Sequence, residues 1–187
     1  MNNRVVAVFG GSFNPPHMAH VLAVTVALST YELDDVLVIP TFQHPFAKAL
    51  ASYEARVRMA ELALSWLPRV TVSRVEQELG GESRTVRTLE HLKSVHPDWS
   101  LRLIVGADIL IEAHKWYGFD RIREIAPLIV LGRMGVDHPD APPPVLPRIS
   151  STEIRQALEA NDVSALGSLV PTSVLQYIQT NGLYVRP

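Results

Sequence analysis

Near the start of the chain, Gly10-Gly11-Ser12-Phe13-Asn14-Pro15-Pro16-His17-Met18-Ala19-His20 gathers residues that suit anion chemistry. Glycines after a first strand let backbone N–H groups come close to an anion. His17 and His20 are three residues apart. A helix beginning here would set both imidazoles on one face within one turn, at the positive end of its dipole. Two imidazoles, spare amides and a dipole end make a phosphate site. The other reading is a strand-to-helix turn with two unrelated histidines, but the whole string is far more specific than a glycine pair. It is not Gly-x-Gly-x-x-Gly, nor the Gly-Lys-Ser/Thr of a P-loop, nor the His-Glu-x-x-His of a zincin, and no metal ligand set is expected.

A second group lies late in the chain, at Ile149-Ser150-Ser151-Thr152-Glu153-Ile154-Arg155. Ser150 and Glu153 match a capping box, which marks a helix start. Ser151 and Thr152 then stand where hydroxyls and free N–H groups hold phosphate oxygens, and Arg155 projects from the same side. Alone, this is a capped helix with a surface arginine. Together with the histidine turn it reads as a grip on a triphosphate. Between the two lie Gly106-Ala107-Asp108, whose carboxylate can bond sugar hydroxyls or cap a helix, and Arg133, an anion contact or one half of a surface ion pair. Trp116 can stack on a flat, electron-poor ring or pack at a helix end. Gln43-His44-Pro45-Phe46-Ala47-Lys48 offers charge from His44 and Lys48, or is a solvated loop.

The elements that must position these residues alternate. Residues 5–9, 36–39, 70–75, 101–105 and 128–131 are short, β-branched and apolar, as expected of buried parallel strands. Helical spacing falls over 17–29, 53–67 and 85–95, with Arg56, Met59, Ala60, Ala63 and Leu64 sharing one side of the second. The order implies βαβ units and a doubly wound α/β fold with a parallel sheet, its ligand beyond the carboxyl ends of the strands. That rule selects Gly10-Gly11, the loop from Pro40 to Lys48, Gly106 to Asp108, and Gly132-Arg133. Five prolines between Asp137 and Pro147 predict a semi-rigid loop leading into the Ile149 segment. A last helix is expected over 172–179, ending near Asn181-Gly182.

The histidine string followed by Ile-Ser-Ser-Thr-Glu-Ile-Arg resembles the nucleotidyltransferases of the His-x-Gly-His superfamily. Within it the likeness is to bacterial nicotinate mononucleotide adenylyltransferases. It runs nearly end to end, through Val38-Ile39-Pro40, Ser83-Arg84-Thr85, Ile104-Val105-Gly106-Ala107-Asp108, Trp116, Arg133 and Asn181-Gly182-Leu183-Tyr184. The resemblance implies a Rossmann-like fold in one domain over 1–187, with the helical part from about 150 to 187 completing the ATP site. It implies transfer of AMP from ATP to nicotinate mononucleotide, giving deamido-NAD and pyrophosphate, with Mg²⁺ carried on the ATP. His17, His20 and Arg155 would be catalytic. Gly10, Gly11, Ser12, Phe13, Gly106, Asp108, Arg133, Ile149, Ser150, Ser151 and Thr152 would bind ATP. Asn14, His44, Lys48, Ser83, Thr85 and Trp116 would bind the mononucleotide. The chain departs from its relatives at Phe46 and Ala47, where a histidine and a basic residue are usual, and at Asn14, Ala19 and Met134, where Asp, Gly and Pro are common. Nicotinamide mononucleotide and phosphopantetheine are the competing acceptors; Trp116, Thr85 and the Tyr184 tail favour a pyridine. A nucleotide sensor without catalysis is the competitor from another class, and the intact histidine pair weighs against it.

Composition agrees with this class. The chain has 187 residues and no cysteine, which excludes disulfides and thiolate chemistry. Lys plus Arg is 17 against 19 for Asp plus Glu, so the net charge of −2 lacks the basic surplus of a nucleic-acid binder. No apolar run reaches the ~18 residues of a membrane span, and the first residues lack a signal-peptide layout, so a cytoplasmic protein is expected. Whether copies of the chain associate is left open by the sequence.

Overall fold

A computed structural model of the chain describes residues 3–43, 50–162 and 164–185. Among the described residues, β1 (Arg4–Gly11), β2 (Asp35–Pro40), β3 (Val70–Val72), β4 (Trp99–Gly106), β5 (Leu128–Arg133) and β6 (Pro144–Leu146) form one parallel sheet in the order β3-β2-β1-β4-β5-β6. The helices are α1 (Met18–Thr30), α2 (Tyr53–Leu64), α3 (Val75–Leu79), α4 (Thr85–Val95), α5 (Ile109–Glu112), α6 (Phe119–Ile125), α7 (Ser151–Glu159) and α8 (Thr172–Thr180). This is the doubly wound, Rossmann-like α/β fold. The strand order reverses between β1 and β4, which opens a crevice at their carboxyl ends.

The two faces follow from the period of the strand. In β1, Ala7 and Phe9 point into a core shared with Val24 of α1, Met59 of α2, Ile154 of α7 and Ile178 of α8. Val6 and Val8 point the other way, against Leu89 of α4 and Ile122 of α6. Both faces are covered, which is why the strands read as unbroken apolar runs.

Several boundaries differ from the expected ones. Helix α1 starts at Met18, and His17 is its extended N-cap (φ −146°, ψ 174°) instead of its first residue. Helix α2 stops at Leu64 and β3 at Val72, after which Val75–Leu79 forms a short helix with too few residues to show a period. The proline-rich segment is not wholly loop. Pro144 opens edge strand β6, a position where a missing N–H leaves no ladder bond unmade. Gly132 allows this, since a Cβ there would overlap the carbonyls of Pro142 and Pro143. Ser150 does cap α7, accepting from the Thr152 N–H at 3.1 Å rather than from Glu153 as a capping box would have it.

Candidate active site

The β1–α1 turn is set by backbone geometry and by one ring. Phe13 has φ +46°, in the left-handed region that a bulky residue rarely enters. It is held there by burial, with 1% of its surface exposed, and its ring lies against the position a Cβ of Gly11 would take, at 3.3 Å. The same ring stands 5.1 Å from that of His20, with Phe9 at 6.0 Å from it. The His17 and His20 rings are 3.8 Å apart and tilted by 34°.

One hydrogen bond fixes the proton on His20. The His17 backbone N–H donates to His20 Nδ1 at 3.1 Å, so a neutral His20 carries its proton on Nε2. His17 Nδ1 is buried without a partner. Burial, then the charge of Arg133, lowers the His17 pKa to about 4. Burial first, then His17 and Arg133, holds His20 well below the usual histidine range. Both imidazoles are therefore neutral at pH 7, each with one N–H to donate. The formal positive charge beside them belongs to Arg133.

Arg133, at the end of β5, donates from Nη2 to the Ile149 carbonyl at 2.6 Å and pairs with Asp108 Oδ1 at 3.4 Å. Asp108 stands at the N-cap position of α5 but makes no capping bond, so its carboxylate faces Arg133 instead. Gly106 leaves it room: a Cβ there would lie 2.7 Å from Asp108 Oδ1. Arg155 takes a different post. It donates to the Asn14 carbonyl at 2.8 Å and to Thr152 Oγ1 at 3.2 Å, while Ser151 Oγ donates to the Pro15 carbonyl at 2.9 Å. The late serine-threonine turn is thus docked on the residues just before His17.

A cavity of about 430 Å³ opens at the crevice. Of the residues the sequence singles out, Gly10, Gly11, Ser12, His17, His20, Gly106, Asp108 and Arg133 line it at the ends of β1, β4 and β5, and Ser83, Thr85 and Trp116 line it from around α4 and α5. Trp116 is half-buried, meets Phe119 edge-on at 6.3 Å and has a place in the cavity wall. Ser83 is already engaged: its hydroxyl donates to the Glu76 carboxylate and accepts from the N–H groups of Phe42 and Gln43 at 3.0 and 3.2 Å. Phe13, Asn14, Ile149, Ser150, Ser151, Thr152 and Arg155 do not line the cavity; they shape the turn behind it. Asn14 is buried, and its Oδ1 accepts from Ala51 N–H and from Tyr184 Oη at 3.0 and 2.7 Å. Tyr184, expected to help select a pyridine, thus anchors the tail to that turn. His44 and Lys48 lie outside the described residues.

Glu76, Thr88 and Lys115 also line the cavity, and Arg56 organises it from behind; sequence reading gave none of them a role. For Arg56 a signal existed, since an arginine on the apolar side of a helix must find buried partners. Among the described residues, no group of three His, Cys, Asp or Glu side chains could hold a metal ion. No helix among them is long and apolar enough to cross a membrane.

Comparison with known proteins bears on this geometry. A sequence profile described as Cytidylyltransferase-like matches residues 8–157. A probable nicotinate-nucleotide adenylyltransferase of Anaeromyxobacter dehalogenans is 49% identical over 185 residues, covering 97% of each chain. The chain belongs to the nicotinate-nucleotide adenylyltransferase family. Another member, from Thermus thermophilus, is also named as a probable nicotinate-nucleotide adenylyltransferase and is 38% identical over 96% of this chain and 98% of its own. The fold recurs in a Plasmodium falciparum nicotinic acid mononucleotide adenylyltransferase solved with NaAD, at TM-score 0.81 and 19% identity over 97% of each chain. The histidine turn and Arg133 stand at the carboxyl ends of β1 and β5.

Proposed function

We propose that this chain joins the adenylyl group of ATP to nicotinate mononucleotide, forming deamido-NAD and releasing pyrophosphate in NAD biosynthesis. The observation that carries the reading is the His17–His20 ring pair, 3.8 Å apart, with Arg133 beside it, at the carboxyl ends of β1 and β5. An oxygen of the mononucleotide's 5′-phosphate attacks the α-phosphorus, and the bond from that phosphorus to the α,β-bridging oxygen breaks. The attacking phosphate monoester is already largely a dianion near pH 7, its second pKa being about 6, so no side chain need remove a proton. What the protein must supply is alignment and stabilisation of charge around an in-line transition state.

In this reading His20 Nε2–H and His17 donate to the α-phosphate, and Arg133 supplies positive charge to the chain of phosphates. Neutral imidazoles suit this role, because they bind oxygen without a proton first having to be taken up, and the polyanion then raises their pKa. Asp108 meets the ribose hydroxyls. Ser151 and Arg155 reach the departing pyrophosphate or act through the Asn14–Pro15 turn that they hold, so the C-terminal helical part completes the ATP site. Trp116 stacks on the pyridine, with Thr85 and Ser83 at its edge. Mg²⁺ enters with ATP and is held chiefly by phosphate oxygens and water. The cytoplasm is the proposed place of work.

The test is pyrophosphate release from Mg·ATP with each acceptor offered in turn. Release with nicotinate mononucleotide well above that with nicotinamide mononucleotide or phosphopantetheine supports the reading. Preference for either of the others moves the assignment to that acceptor. No release with any of them, alongside tight ATP binding, makes the chain a sensor.

A further inference from the structure

Among the described residues Arg56 is the only lysine, arginine, aspartate or glutamate that is buried, with 2% of its surface exposed. No carboxylate lies within ion-pair distance of it among those residues. Its guanidinium spends itself on backbone carbonyls: Nε on Ala51 at 3.0 Å, Nη1 on Ser12 at 3.0 Å and Thr41 at 2.7 Å, and Nη2 on Phe42 at 3.4 Å. These carbonyls come from three separate segments: the turn after β1, the exit of β2, and the residues just before α2. Burial lowers the Arg56 pKa, but a guanidinium remains charged, so every one of these bonds is charge-assisted.

The Phe42 peptide is gripped from its other side as well. Its N–H donates to Glu76 Oε2 at 3.0 Å, and Glu76 also accepts from Ser83 and, at 3.3 Å, from Thr88 Oγ1. A continuous path thus runs from Ser12 in the phosphate turn, through Arg56, the Phe42 peptide and Glu76, to Ser83 and Thr88 on the opposite wall of the cavity. Ser12, Thr41, Glu76, Ser83 and Thr88 all line that cavity. Arg56 itself touches none of it.

We propose that Arg56 and Glu76 form a brace that fixes the distance between the phosphate turn and the acceptor wall, making both positioning residues for the mononucleotide. This rests on the adenylyl-transfer reading above. In-line attack needs the two reactants placed to within a fraction of an ångström, and a displacement of about 1 Å costs on the order of a hundredfold. A planar fork with five donors can hold three segments at once; a lysine keeps the charge but not the fork. The brace stands between the two half-sites, so its loss falls on the acceptor more than on the donor.

The test uses Arg56→Lys, Glu76→Gln and the double variant, each checked by circular dichroism and assayed well below its unfolding temperature. For each single variant the brace predicts a rise of about tenfold in the KM for nicotinate mononucleotide and a fall of about a hundredfold in kcat/KM. Affinity for a non-hydrolysable ATP analogue should stay within about threefold. The double variant should be little worse than the worse single one, because both act through the same peptide. Should Arg56→Lys not fold, Glu76→Gln carries the test alone. Folded variants with an unchanged acceptor KM, or with equal losses for donor and acceptor, overturn the brace; so does a double variant whose loss is the product of the two. If the unaltered protein releases no pyrophosphate with nicotinate mononucleotide, the functional reading falls and takes the brace with it. An active parent with indifferent variants removes the brace alone.

Discussion

The two walls of the cavity are built in opposite ways. The phosphate wall is centred on one turn, with Gly106, Asp108 and Arg133 beside it and His17 buried in it. Ten residues of one turn, from Gly11 to His20, supply its rings and amides, His17 is only 5% exposed, and the aromatic rings of Phe9 and Phe13 back His20. The acceptor wall is assembled from α4, the stretch around Trp116 and the exit of β2; Ser83, Thr85 and Trp116 on it are half-exposed, and Thr88 is buried. The contrast fits what each wall must do. Burial of His17 strengthens a hydrogen bond from it to a developing charge. An open wall lets one substrate in and a larger product out, and it gets its precision from hydrogen bonds between loops.

If that division holds, changes on the phosphate side should fall on turnover and changes on the acceptor side on KM. The largest effect is expected for His20→Ala. Loss of one such donor costs about 3–4 kcal/mol, a fall of ~10²–10³ in kcat, with the melting transition retained. Near-normal turnover would end the comparison at once.

Next comes the response to acid. His17 is held at about 4 in the folded protein against about 6.5 unfolded, so the unfolded chain binds the extra proton between these values. The stability due to this group is complete above pH 6.5 and is lost as pH falls towards 4, about 3 kcal/mol in all. Urea unfolding at pH 7 and pH 4.5 should therefore show a steeper loss for the parent than for His17→Gln. Equal losses would mean that His17 is not buried in its neutral form.

A smaller effect is expected at Gly132→Ala. The added methyl must push the Pro142–Pro143 backbone off β5, next to Arg133, at about 1–3 kcal/mol of stability. An unchanged melting temperature would show that the β5–β6 contact is loose, and with it the Arg133 end of the phosphate wall. The smallest is Trp116→Ala, where the mononucleotide KM should rise about tenfold with kcat within a few-fold, since a stacking contact is worth about 1 kcal/mol. A loss confined to kcat would place Trp116 on the wrong side of the division.

Legibility in the sequence follows the same line. The phosphate turn could be read because its residues are neighbours in the chain, and the sheet because parallel strands buried on both faces leave unbroken apolar runs. Distance in sequence hid the rest. From the sequence Arg155 is the guanidinium expected beside the histidines and Arg133 an ATP contact; the fold puts Arg133 in the cavity wall and Arg155 on the Asn14 carbonyl. Arg56 shares a helix face with apolar residues, but its partners are backbone carbonyls, which every residue has, so the sequence gives it no role. The Tyr184 tail is expected to favour a pyridine acceptor, and its hydroxyl instead donates to Asn14 Oδ1. Edge strand β6 was masked by its prolines, which are tolerated because it lies at the sheet margin.

The central claim is that two neutral imidazoles, one with its tautomer fixed by the His17 backbone, receive the phosphates of ATP. Nitrogen NMR of histidine-labelled protein at pH 7 tests it directly. In the free protein both rings should be neutral, His20 with its proton on Nε2, and a non-hydrolysable ATP analogue should shift both sets of resonances. Doubly protonated rings before ligand is added, or resonances indifferent to the analogue, would contradict it.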